Sequence, residues 1–203
     1  MKASWYPQRE RTAGKSVWKG GFRSTGQNRH GSQRLEPHRS DQRAVRYADA
    51  KMNLRDKMDA IYRDFLPSQI PWNLKEPPEL LVDLVRRGRI VPCNAVDFGC
   101  GAGNYVVWLA EQGFRVTGID ISPAAIGLAS KLAQERGVDC RFLEGDLTRG
   151  QAGYEESFDF GFDWEVLHHV FPAQRAEFVG NVHRMLRPGA KLLSVCFNED
   201  DPD

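Results

Sequence analysis

The sequence predicts a doubly wound α/β fold on a mostly parallel sheet, with helices on both faces. Three observations carry this. From Ala95 onward, apolar runs of strand length alternate with longer stretches of helical periodicity. One such run leads into Ala95–Gly103, A-V-D-F-G-C-G-A-G, where Gly99, Gly101 and Gly103 precede an apolar helical pattern (Tyr105, Val106, Trp108, Leu109). Acids then recur at the ends of predicted strands, on the side of an open α/β sheet where ligands bind.

Residues 1–48 form a basic extension without periodicity, and 49–203 form the folded domain. The first 50 residues carry 11 Lys/Arg against 4 Asp/Glu, while the whole chain of 203 residues is only +1. Isolated aromatics (Trp5, Tyr6, Trp18, Phe22) cannot bury enough surface to offset the entropy of ordering such a segment. The extension is therefore expected to be disordered. Its charge leaves open a contact with nucleic acid, its Arg/Ser content an organelle transit peptide, and the plain alternative is an extension without function.

Met52–Phe65 reads as an amphipathic helix, with Leu54, Met58, Ile61, Tyr62 and Phe65 at three- and four-residue spacing. Pro67 and Pro71 end it. Ile70-Pro71-Trp72-Asn73 then forms a rigid loop, and Glu79–Arg87 a second helix closed by Gly88. In the loop Trp72 serves as a packing anchor or as a lid. Strand one is Ala95–Phe98, followed by a helix over Asn104–Gln112. Strand two is Arg115–Ile119. Ser122-Pro123 opens a helix reaching Arg136, with a serine cap and proline at the first helical position. Strand three is Cys140–Leu143, Gln151–Ser157 a loop, and strand four Phe158–Phe162. A helix over Pro172–Leu186 ends at Pro188-Gly189, and strand five is Lys191–Phe197.

The glycine turn with a helix N-terminus behind it suits a nucleotide-like ligand. A dinucleotide fingerprint, G-x-G-x-x-G, would place its third glycine where Asn104 stands. Asp120 ends strand two, 23 residues past Asp97, and its carboxylate can accept from vicinal ribose hydroxyls. Asp146 follows strand three in Gly145-Asp146-Leu147. After strand four comes F-D-F-G-F-D-W-E-V-L-H-H-V, with Asp163, Trp164, His168 and His169 as candidates beside the reacting group. A histidine there can act as a base for an oxygen or nitrogen nucleophile; a thiol, selenide or halide needs little such help. Each of these residues also has a plain structural role open to it, as loop acid, helix cap or packing histidine.

The spacing Asp97-x-Gly99-x-Gly101-x-Gly103, with Asp120, Gly145-Asp146-Leu147, Pro71-Trp72-Asn73, Asp159–His169, Leu186–Gly189 and Ser194–Asn198, resembles class I S-adenosylmethionine-dependent methyltransferases. It is most similar to their small-molecule branch, the thiopurine, thiol, halide and tellurite methyltransferase-like group. The resemblance covers residues 52–202. It implies a Rossmann-like sheet of order 3-2-1-4-5 and S-adenosylmethionine as cofactor. It implies cofactor contacts at Trp72, Asp97, Gly99, Cys100, Gly101, Asp120, Ile121, Asp146, Leu147 and Asp163. Asp163 and His168 are the expected catalytic residues, and a small molecule is the expected acceptor. Domains of this kind continue past strand five into another helix and an antiparallel hairpin. Here the sequence stops after strand five, which predicts an open apolar edge (Leu192, Leu193, Val195), self-association through it, and impaired turnover.

The four scattered cysteines form no C-x-x-C, and no metal site is expected. No apolar run is long enough for a membrane span and no secretory leader is visible, so the default compartment is the cytoplasm.

Overall fold

The structure, a computed structural model, describes residues 8–12, 15–19 and 53–196. Within the extension expected to be disordered, β1 (Gln8–Thr12) pairs antiparallel with β2 (Lys15–Lys19). The rest of that extension lies outside the described residues, as do Phe197 and Asn198.

α1 (Leu54–Asp64) starts at Asn53, whose side chain accepts from the Asp56 amide, and buries Ala60 and Tyr62. α2 (Glu79–Arg86) buries Leu81. The main sheet follows: β3 (Asn94–Phe98), β4 (Arg115–Asp120), β5 (Arg141–Glu144), β6 (Phe158–Trp164) and β7 (Leu186–Val195). All its pairings are parallel, in the spatial order β5-β4-β3-β6-β7, which is the expected 3-2-1-4-5. The first strand to form a nucleotide half lies at the centre, so its carboxyl end sits beside the point where strand order reverses.

Side chains alternate across β3. Ala95 joins Leu81, Val106, Leu109, Phe114, Phe160 and Phe162 beneath α2 and α3 (Asn104–Glu111). Val96 and Phe98 join Phe178, Val182 and Met185 of α5 (Arg175–Met185) on the other face. α4 (Pro123–Arg136) packs small residues, Ala125, Ala129 and Ala133, inward.

Two boundaries depart from expectation. The last helix begins with a separate 3₁₀ turn, Pro172–Gln174. β7 starts at Leu186, directly after α5, rather than at Lys191. Leu186 pairs with Phe158, the register then shifts, and Lys191 pairs with Phe160. The Arg187 side chain holds the irregular stretch, donating to Glu156 O and to Asp159 Oδ1.

Candidate functional site

One cleft opens at the carboxyl ends of β3, β4, β5 and β6, under α1 and the loop after it. Its floor is the glycine turn. The Gly99 and Cys100 amides both donate to Ile119 O, at 2.7 and 3.0 Å, which ties the turn to β4. Gly99 has φ 81°, and a Cβ there would overlap Val166 Cγ2. A Cβ on Gly101 would lie 2.5 Å from the Tyr62 hydroxyl. Both glycines are required by backbone angle and by crowding.

Asp120 is buried at the end of β4. Its Oδ2 accepts from the Gly101 amide at 2.8 Å and its Oδ1 from the Ser122 amide at 2.9 Å. Burial raises its pKa, and these backbone donors work against that rise. Each oxygen keeps a second lone pair, so the carboxylate is held ready to accept further hydroxyls. Asp146 Oδ1 accepts from both the Thr148 amide and the Thr148 hydroxyl. Asn181 Nδ2 donates to Leu147 O at 2.7 Å and fixes that turn from below.

Asp97 is 2% exposed and lines the cleft, with Oδ2 lacking any hydrogen-bond partner. Burial foremost, then the nearby Asp163 and Asp120, push its pKa well above the usual carboxylate range. Cys100 is also buried, its thiol held protonated by burial and by Asp120 and Asp97.

The walls are aromatic. Trp72 Nε1 donates to the Tyr62 hydroxyl at 3.0 Å, and Asn104 Nδ2 donates to Asn73 Oδ1 at 2.9 Å. These bonds fold the Pro-Trp-Asn loop over the glycine turn. Tyr105 and Trp164 complete the wall, each against Phe162.

Of the expected site residues, Trp72, Asp97, Gly99, Cys100, Gly101, Asp120, Ile121, Asp146 and Leu147 all line this cleft. Asp163 does not. Its Oδ1 accepts from the Val166 amide and its Oδ2 from the Ser194 hydroxyl, and it faces a neighbouring groove. Along β6, Trp164 takes the cleft side and strand alternation puts Asp163 on the opposite face. His168 also stays out of the cleft, and His169 enters it instead. The His169 ring stands at the open mouth, 6.5 Å from the Trp72 ring, and its Nε2 is 3.1 Å from His168 Nε2. Desolvation in the cleft, with His168 and Lys57 as like charges, lowers its pKa below the usual value. Tyr62, Tyr105 and Glu165 also line the cleft and were not singled out from sequence as ligand contacts. The pattern offers no signal for Glu165, which takes a left-handed φ of 62°.

These residues fit a cationic nucleoside. A buried carboxylate oxygen without a donor, three further acids and an aromatic wall suit an ammonium, a sulfonium and ribose hydroxyls. No lysine or arginine lines the cleft among the described residues.

Residues 95–189 match the family described as "Methyltransferase domain". The chain is 30% identical over 152 residues to the 2-heptyl-1-hydroxyquinolin-4(1H)-one methyltransferase of Mycobacteroides abscessus, covering 72% of this chain and 66% of that protein.

The chain belongs to the class I S-adenosylmethionine-dependent methyltransferases.

Other proteins are similar. A probable thiol methyltransferase of Arabidopsis thaliana is 29% identical, over 64% of this chain and 58% of that protein. The N-methyltransferase NodS of Bradyrhizobium japonicum, solved with S-adenosylhomocysteine, superposes with a TM-score of 0.55 at 28% identity, covering 66% of this chain and 70% of that one. A structure titled for conversion of a disulfide bond into a thioacetal group during echinomycin biosynthesis gives 0.63 at 32%, covering 68% and 58%. The chain spans between about half and two thirds of the length of the first three curated relatives it matches.

Proposed function

We propose that the chain binds S-adenosylmethionine along its strand ends and transfers the methyl group to a small-molecule acceptor. The observation that carries this reading is the convergence of Asp97, Asp120 and Asp146 with the glycine turn on one aromatic-walled cleft that no lysine or arginine lines among the described residues. Asp120 takes the ribose hydroxyls, the turn at Asp146–Leu147 takes the base, and Asp97 with the Gly99–Gly101 backbone takes the amino-acid end. Trp72, Tyr62 and Trp164 exclude water and face the positive charge.

When bound, the cofactor supplies a methyl group already activated by positive sulfur. The protein's own task is then to orient the acceptor for in-line attack and, for an O–H or N–H nucleophile, to remove a proton. His169, neutral at physiological pH and open to the cleft, is the candidate base, in place of His168. Asp163 is a positioning residue: it caps the turn that carries Glu165 and Val166.

The similarity to a hydroxyquinolinone methyltransferase and a probable thiol methyltransferase supports a small acceptor with oxygen or sulfur as nucleophile. Calorimetric titration with S-adenosylhomocysteine tests the binding step. Saturable binding by wild type, weakened at least tenfold by Asp120→Ala, is expected. Absence of binding by a folded sample overturns the reading.

A further inference from the structure

One part of the cleft is left without a role by the cofactor. Tyr105, in the first turn of α3, and Glu165, immediately after β6, both line it. The Tyr105 hydroxyl is buried with no hydrogen-bond partner. Its ring packs edge-on against Phe162, centroids 5.9 Å apart, which holds the hydroxyl in place. Burial, with the charges of Asp97 and Glu165 close by, pushes this phenol up to about 12, so it remains a donor.

The Glu165 carboxylate has neither a hydrogen-bond partner nor an ion pair among the described residues. It is half-buried, and burial raises its pKa. Its backbone sits at φ 62°, a region that non-glycine residues seldom occupy. Three contacts hold it there. The Glu165 amide donates to Val195 O at 2.7 Å, the next amide, Val166, donates to Asp163 Oδ1, and Val166 packs on Gly99. The surroundings thus maintain an unfavourable turn whose result is a carboxylate facing the cleft.

We propose that Glu165 and Tyr105 select the methyl acceptor, holding a flat aromatic molecule that presents a neutral or cationic N–H or O–H donor and rejecting one that carries an anion on the ring. The proposal deepens the methyltransferase reading and rests on it. Trp164 and Trp72 supply flat walls for an aromatic ring. Glu165 is an acceptor in need of a donor, and Tyr105 can give or take one hydrogen bond. An anionic group placed beside Glu165 and Asp97 would lose its water with no lysine or arginine among the described residues lining the cleft to compensate. Discrimination arises chiefly from that mismatch.

Three bicyclic probes of one shape test this: 4-aminoquinoline (a cation at neutral pH), 4-hydroxyquinoline (neutral) and quinoline-4-carboxylate (an anion). Each is titrated by tryptophan fluorescence, with and without S-adenosylhomocysteine, so that cofactor binding is scored separately and its failure counts against the methyltransferase reading alone. Expected for wild type is binding of the cation and the neutral probe at least tenfold tighter than the anion. Glu165→Gln should bring the three within about threefold of one another. Tyr105→Phe, which keeps the ring and removes only the hydroxyl, should weaken the neutral probe several-fold while retaining the order. Binding of the anion as tight as the neutral probe, an unaltered order in folded Glu165→Gln, or no binding of any probe would overturn the proposal.

Discussion

At Asp97, burial and binding pull in opposite directions. Its pKa in the fold lies above its value in the unfolded chain. The stability this gives is therefore fully present below about pH 4 and is lost as pH rises and the unfolded chain ionises first. Asp97→Asn should stabilise the protein by ~1–3 kcal/mol at pH 7.5, with the gain shrinking toward pH 4, while weakening binding of S-adenosylhomocysteine. Urea titrations at the two pH values read the first effect and calorimetry the second. His169 carries the opposite sign for a base: its lowered pKa keeps it neutral to more acidic pH. The acid limb of kcat for an O–H or N–H acceptor should fall below pH 6.5, and His169→Gln should remove that limb, whereas His168→Gln should keep it and move it to higher pH, because a like charge beside His169 is lost. At this scale the glycines and the acids at 97, 120 and 146 were legible, because their chemistry is set by residue type and spacing. That Asp163 and His168 lie outside the cleft was not legible, because the side each faces depends on how β6 meets the cleft and on the turn after it.

Among elements, α1 matters most for the cleft. Asp59 Oδ1 accepts from the Ser122 hydroxyl and from the Ala124 amide, so α1 caps the N-terminus of α4 beside that helix's own Ser122 cap. Asp59→Ala should cost ~1–2 kcal/mol and loosen α1 together with the Trp72–Tyr62 bond above the glycine turn. Faster proteolysis between residues 53 and 78, suppressed by S-adenosylhomocysteine, would report this; a cleavage rate equal to wild type would count against it. Gly99→Ala acts on the turn itself, where both φ and Val166 forbid a methyl group. It should abolish cofactor binding, and thermal unfolding should occur several degrees lower. Helix and strand existence followed from periodicity, and the bounds of α4 agree with its Ser-Pro start and glycine end. The displaced start of β7 did not show, because it depends on Arg187 reaching Glu156 and Asp159, about thirty residues earlier.

For the whole molecule, the sheet ends on β7, which pairs only with β6 among the described residues. Leu192 on that strand is 48% exposed. An unpaired apolar edge promotes strand-to-strand association. Sedimentation velocity at micromolar concentration is expected to show self-association that Leu192→Lys diminishes, and an unchanging monomer in both would count against it. Among the described residues no helix is long and apolar enough to cross a membrane, and no cluster of His, Cys, Asp and Glu is arranged to hold a metal.

By itself the sequence determined the parallel α/β order, the glycine turn and the acids at strand ends, because these rest on local periodicity, backbone freedom and residue chemistry. Only the tertiary structure decided which side chains share the cleft. Asp163 is drawn away by Ser194, 31 residues later, Glu165 is turned inward by Val195 O, and Asp97 is left without a donor. Strand alternation separates Asp163 from Trp164, but which side meets the cleft, and the turn that aims Glu165, depend on bonds between distant segments formed when β7 pairs with β6.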